Sequence, residues 1–335
     1  MQKGEAIGMI YKKVKRIEEE ISAIGIGCWG FGGDWDTTDD KRTSDILHAA
    51  ISAGVNLIDV APVYGWGHSE EIVGRILKEG GLRNKVLIAS KGGLLWNEKH
   101  ETTNNLSKES LLWEIDQSLR RLQTDHIDIY QMHWPDPNVS LEETAEALSE
   151  MKKAGKIRYV GLSNFSQKDV ERMMTYISVD CQQGLYNMLE RNPTSYHNIP
   201  LDYRTEKEVL PNVKKYGQAF LPYSPMFQGL LAGKFNSGIN ISKDDIRMAN
   251  PKLSGPDFPL YMEAANQLKK LSDEYGKPMN EIAENWLRQK EEVTSIIGGA
   301  SSVRQVEENL HSLTWDIDEE MTAAIDRIIA PFEDK

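Results

Sequence analysis

Ile127-Asp128-Ile129-Tyr130-Gln131-Met132 is a mostly apolar run of strand length that stops at His133 and the turn-forming Trp134-Pro135-Asp136-Pro137. Its apolar side chains fall on both alternating faces, which is the mark of a strand covered on two sides rather than one washed by water. The same kind of run recurs along the chain at 24–29, 57–60, 86–89, 157–162, 179–182, 219–222 and 295–297. Between the runs lie stretches with helical spacing, such as Ile46, Leu47, Ala50 and Ile51, or Leu111, Leu112, Ile115, Leu119 and Leu122. Ser69-Glu70-Glu71 and Ser107-Lys108-Glu109-Ser110 supply helix-capping signals.

Strands alternating with helices give a parallel sheet, and eight strands close a barrel whose interior side chains just fill it. The rival is an open doubly wound sheet with a glycine fingerprint on its first turn. Gly25-Ile26-Gly27-Cys28-Trp29-Gly30 matches that fingerprint poorly, because Trp29 fills the tight turn. The expected fold is therefore α/β: a (β/α)8 TIM barrel with an N-terminal β-hairpin and an extra C-terminal helix, as one domain over residues 1–335. The hairpin, from Tyr11–Arg16 and Glu20–Ile21, would plug the barrel bottom.

The chain has 335 residues, 40% of them hydrophobic, enough for a large core. With 39 Lys+Arg against 51 Asp+Glu it carries a formal charge of -12, which disfavours nucleic acid and anionic membrane surfaces as partners. An anionic cofactor stays compatible, since backbone dipoles and one or two basic side chains hold a phosphate locally. The opening residues lack the apolar run of a signal peptide, and no stretch reaches membrane-span length, so a cytoplasmic location is expected. Cys28 and Cys181 form neither a disulfide framework nor a metal set, and no metal is expected.

In such a barrel the carboxyl ends of the strands face the active site. Those ends carry Asp59, Lys91, His133, Ser163-Asn164, Gln183 and Tyr223. Each alone reads as a cap or a packed polar corner; six on one face of one architecture read as a site. Trp29, Trp66, Trp96 and Trp134 fall at or just after strand ends and would wall a substrate pocket. No arginine stands at an obvious pocket position, which disfavours a dedicated carboxylate substrate. The long segment 224–259 opens with Ser224, and its Gln228-Gly229-Leu230-Leu231-Ala232-Gly233-Lys234 places backbone amides, glycines and one ammonium together, as a pyrophosphate requires. Its middle, Asn236–Ser254, reads as a mobile surface loop.

Asn56-Leu57-Ile58-Asp59-Val60-Ala61-Pro62-Val63-Tyr64-Gly65 followed by Ser69–Gly74 resembles the signature of the aldo-keto reductase superfamily. The resemblance continues through Lys91-Gly92-Gly93, Ile127–Pro137, Gly155–Phe165, Pro222-Tyr223-Ser224-Pro225, Gly298-Gly299-Ala300 and Glu308-Asn309, in order along nearly the whole chain. His133-Trp134-Pro135-Asp136-Pro137 is similar to the bacterial branch. The resemblance implies a catalytic tetrad of Asp59, Tyr64, Lys91 and His133. Tyr64 would be the general acid, Lys91 would lower its pKa, Asp59 would hold Lys91, and His133 would orient the carbonyl oxygen. It also implies that Ser163, Asn164 and Gln183 bond the nicotinamide carboxamide and that Tyr223 stacks on the ring. Around the turn Gly299, Ser301, Ser302 and Arg304, a basic side chain would meet an adenosine 2′-phosphate, with Gln305, Glu308 and Asn309 about the adenine and ribose. NADP(H) is the expected cofactor. Serines at 301 and 302, where relatives often carry basic residues, keep NAD(H) as the alternative.

The expected activity is reduction of aldehyde, ketone or sugar carbonyls, with a small-molecule carbonyl as the partner and the oligomeric state open. A sugar or polyol dehydrogenase running toward oxidation, and a regulatory binding protein on the same scaffold, are the two rivals.

Overall fold

The computed structural model describes residues 8–33, 39–233, 235 and 246–335. Eight strands are hydrogen-bonded in parallel: β1 (Ile24–Gly27), β2 (Leu57–Asp59), β3 (Leu87–Gly92), β4 (Ile127–Met132), β5 (Ile157–Ser163), β6 (Cys181–Leu185), β7 (Ala219–Tyr223) and β8 (Ile296–Gly299). β8 returns to pair with β1. Between β7 and β8 the ring is completed by Thr294, whose N–H donates to Phe220 O at 2.9 Å while its hydroxyl accepts from Phe220 N at 3.0 Å. The barrel is thus nearly closed, with helices around it, as the sequence predicts.

Strand parity sets what faces the axis. Leu57, Leu87, Ala89, Ile129, Tyr159, Cys181, Ala219, Leu221 and Ile297 form one buried interior layer. Counting on by two from these residues reaches Asp59, Lys91, Gln131 and His133, Ser163, Gln183 and Tyr223. The polar strand ends therefore share one axial face because they share parity. The alternate residues, such as Ile58, Ile88, Tyr130, Val160 and Phe220, pack outward under the helices.

Below the apolar layer, Tyr11–Lys12 pairs antiparallel with Ile21–Ser22. This is the expected hairpin. Its Ile17 and Ile21, 1% and 0% exposed, join the interior layer and stopper the bottom of the barrel. Asp128 fastens that end, accepting from Arg83 Nη2 at 2.8 Å and from Arg158 Nη1 at 3.0 Å.

The extra C-terminal helix is present at Glu319–Ile329 and buries Met321, Ile325 and Ile329. Within Asn236–Ser254, the part that is described is not a loose loop. Ile246–Ala249 and Pro251–Ser254 are helical turns, because Asn250 caps the second and Leu253 is buried in the core.

Candidate active site

Tyr64 sits in the turn after β2, its N–H on Ala61 O at 3.1 Å and its carbonyl accepting from Ser69 N at 3.3 Å. The next residue must be glycine: Gly65 has φ 58°, and a Cβ there would lie 2.2 Å from Gly32 O. The Trp29–Gly32 turn therefore packs backbone to backbone against the tyrosine turn.

Lys91 is fully buried on β3. Its ammonium donates to Asp59 Oδ1 at 2.8 Å, to Val60 O at 3.2 Å and to the Tyr64 hydroxyl at 3.1 Å. Burial works against that charge, but Asp59 and Tyr64 more than offset it, and the Lys91 pKa is pushed up to about 12. His133 follows β4, with its N–H on Gly92 O at 3.0 Å and its ring edge-on to Tyr64, centroids 6.0 Å apart. Burial, aided by Lys91, drives its pKa well below the usual histidine value, so the ring is neutral. The four tetrad residues are thus together.

One expectation is corrected. Lys91 does act to lower the Tyr64 pKa, but burial acts more strongly, and the hydroxyl lies above its ordinary value. Desolvation of a phenolate outweighs one ammonium that is already shared with Asp59.

The Aldo/keto reductase family model matches residues 23–330. The chain belongs to the aldo/keto reductase family. It is similar to aldo-keto reductase YhdN of Bacillus subtilis, 36% identical over 323 residues that cover 96% of this chain and 94% of that one. It is also similar to the NADH-specific methylglyoxal reductase of Escherichia coli, 31% identical over 333 residues, 92% of this chain and 96% of that protein. Among solved structures, the glycerol dehydrogenase of Gluconobacter oxydans has a TM-score of 0.85 at 34% identity, covering 97% of this chain and 96% of that one. This aldo-keto reductase is therefore an oxidoreductase of a family that works with a nicotinamide cofactor.

Around the tetrad, the aldo-keto reductase uses its expected cofactor residues partly for its own framework. Gln183 Nε2 donates to Asp59 Oδ2 at 2.8 Å. Asn164, at φ 64°, gives its amide N–H groups to His133 O at 3.2 Å and Ser163 Oγ at 3.1 Å. Its Oδ1 accepts from the Tyr203 and Tyr223 hydroxyls at 3.1 and 2.9 Å. The Tyr223 ring stays at the end of β7, and the carbonyl of Ser224 accepts from Asn187 Nδ2 at 3.0 Å.

The Phe227–Ala232 turn carries Gln228 at φ 53° and Gly229 at φ 97°, ends on Gly233 at φ 68°, and buries Leu231. Lys234 lies outside the described residues. Beyond β8, Ser302 caps the helix Val303–His311, and the Ser301 N–H and hydroxyl both rest on Gln305 Oε1, at 2.7 and 3.0 Å. Arg304 is exposed and pairs with Glu308 at 2.7 Å. Asn309 is best oriented with its nitrogen on Gln305 O at 3.1 Å and Glu284 Oε1 at 3.2 Å. Among the described residues, nothing lies within 4 Å of where a Cβ on Gly233 or Gly299 would stand. Open backbone at two turns, beside a capped helix start, fits a dinucleotide's phosphates.

Of the four tryptophans expected to wall the pocket, Trp66 and Trp96 stand together, centroids 6.1 Å apart, and Trp66 stacks on His100 at 4.5 Å. Trp29 lies in the turn against Tyr64 and Gly65, and Trp134 packs toward the β6–β7 side. Sequence reasoning passed over Gln131, 3.5 Å from Asp59 Oδ2, although parity points to it. It also passed over Tyr196, edge-on to Tyr223 at 5.2 Å, and over His197 beside it. These two stand on a short hairpin, Ser195–Tyr196 with Ile199–Pro200, which no periodic pattern announces.

Proposed function

We propose that the chain reduces aldehydes, ketones or sugar carbonyls with NADP(H), Tyr64 serving as general acid. The observation that carries this reading is the Lys91 ammonium, 2.8 Å from Asp59 and 3.1 Å from the Tyr64 hydroxyl. When bound, the dinucleotide supplies the hydride.

The Tyr64 hydroxyl gives its proton to the carbonyl oxygen. Lys91 offsets the phenolate left behind, and it does so only while Asp59 and Gln183 hold it in register. His133, kept neutral by burial and by Lys91, donates a hydrogen bond to the same oxygen and orients it. Ser163, Asn164, Gln183 and Tyr223 would hold the nicotinamide end. The Gln228–Gly233 turn would hold the pyrophosphate, and Ser301, Ser302, Arg304, Gln305, Glu308 and Asn309 the adenosine. Trp29, Trp66, Trp96 and Trp134 would wall the substrate. We place this activity in one unit spanning residues 1–335 and in the cytoplasm; among the described residues no helix is long and apolar enough to cross a membrane.

A second reading has support in the neighbour named a glycerol dehydrogenase: the same residues catalyse polyol oxidation in reverse, with the phenolate accepting the proton. The name NADH-specific in another relative supports NAD(H) as the alternative cofactor. The test is the absorbance of the reduced nicotinamide over a panel of aldehydes, sugars and polyols, in both directions and with both cofactors. Turnover of short aldehydes with NADPH is expected; no turnover in any arm overturns the reading.

A further inference from the structure

We propose that His197 is a proton-sensitive anchor of the Phe227–Gly233 turn, holding it while the ring is neutral and releasing it, with a bound dinucleotide, on protonation. This rests on the reading above that the turn holds the pyrophosphate.

The inference comes from donor and acceptor bookkeeping along three side chains. Asn250 caps the Pro251–Ser254 turn, and its Oδ1 accepts from Lys252 N at 3.1 Å. A backbone N–H only donates, so this bond fixes which end of the amide is oxygen. Asn250 Nδ2 then points at Gln228 Oε1, 3.0 Å away. That in turn fixes Gln228 Nε2 toward His197 Nε2 at 2.8 Å. An amide nitrogen donates and does not accept, so His197 Nε2 must carry the lone pair and the ring proton must sit on Nδ1. Protonating Nε2 sets two donors face to face. No amide flip repairs that contact without breaking the Asn250 cap.

The anchor acts on a turn that needs one. Gln228 is a non-glycine residue at φ 53°, followed by Gly229 at φ 97°. On the other side, the His197 hairpin is tied to the 249–252 segment. Lys252 Nζ donates to Glu190 Oε1 at 2.6 Å and to Ser195 O at 3.2 Å, and Asn198 Nδ2 reaches Ala249 O at 3.5 Å. The neighbouring Tyr196 packs on Tyr223, so the hairpin touches the nicotinamide side as well.

Among the described residues, Glu190 and Lys252 are the charged groups that act on the ring, in opposite senses. Burial is stronger than either and holds the His197 pKa below the ordinary value. The anchor is therefore complete at neutral pH and is lost as the pH falls through the lowered value.

The experiment is a fluorescence titration of NADPH and NADH from about pH 8 to about pH 5, NADH serving as the control without a titrating 2′-phosphate. For the wild type, dissociation constants for both cofactors should rise about three- to tenfold across a single-proton step, the worth of one hydrogen bond. His197→Gln keeps an acceptor that does not titrate, and should abolish the step. Side-chain nitrogen NMR of the cofactor-free protein should show His197 protonated at Nδ1. A step that survives in His197→Gln, or a ring protonated at Nε2, overturns the proposal. Gln228→Ala separates the two layers. If it leaves affinity unchanged while the tautomer is as stated, the turn does not hold the dinucleotide, and both readings fall. If it weakens binding while His197→Gln keeps the step, only the role of His197 falls.

Discussion

Gln183 Nε2 donates to Asp59 Oδ2 at 2.8 Å, so the carboxylate that holds the Lys91 ammonium is itself held from the other side of the barrel. Gln183→Leu strips a donor from a buried charged acceptor, a loss of about 1–3 kcal/mol. Thermal unfolding without cofactor should show this destabilisation, and turnover should fall with it. Unchanged melting would mean that the amide serves only a ligand.

Tyr64→Phe removes one hydroxyl and little volume, so fold and cofactor affinity should survive. Turnover on a generic aldehyde should drop about 10²–10⁴-fold, the usual range for a lost general acid. Lys91→Met should be comparably severe, and the double variant scarcely worse than either single one, since the groups act as a unit. Near-native kcat in Tyr64→Phe would sink the mechanism.

Cofactor choice is tested at Ser301, whose N–H and hydroxyl rest on Gln305 while the nearby Arg304 pairs with Glu308. Ser301→Lys adds a cation where a 2′-phosphate would lie, and should tighten NADPH about two- to fivefold while leaving NADH nearly unchanged. Equal effects on both cofactors would place the phosphate elsewhere.

Glu114 offers a stability test removed from the chemistry. It is 2% exposed, accepts from Gly93 N at 2.8 Å and from Ser110 Oγ at 2.9 Å, and burial pushes its pKa up to about 7. The native state thus holds this proton more tightly than the unfolded chain does. The stabilisation is full below the ordinary carboxylate value and is lost as the pH rises toward about 7, by at most about 3 kcal/mol. Glu114→Gln cannot ionise, so relative to wild type it should gain stability between about pH 5 and about pH 8. Parallel melting curves across that range would contradict the assignment.

The barrel and the tetrad were legible because a strand pattern carries its own geometry. Apolar runs ending in Asp59, Lys91 and His133 announce both the sheet and, through parity, the face on which the polar ends meet. What escaped was set by neighbours distant in sequence. The Ser195–Pro200 hairpin is too short to leave a period, so Tyr196 and His197 had no signal. The bonds of Asn164 to Tyr203 and Tyr223 depend on a side chain thrown sideways by a left-handed backbone. The Lys91 influence on Tyr64 is legible in the sequence, but the net direction is not, because charge is visible there and desolvation is not.

Ile17 and Ile21 close the barrel beneath the tetrad, and this shapes the supply of protons. On the proposed mechanism each reduction leaves Tyr64 one proton short, and among the described residues an apolar stopper stands between it and the solvent below. Replenishment must come through the same mouth that admits the carbonyl compound. Recharging the acid and exchanging alcohol for fresh substrate therefore compete for one doorway. Turnover in heavy water should slow most where the mouth is most crowded, with bulky substrates rather than small ones.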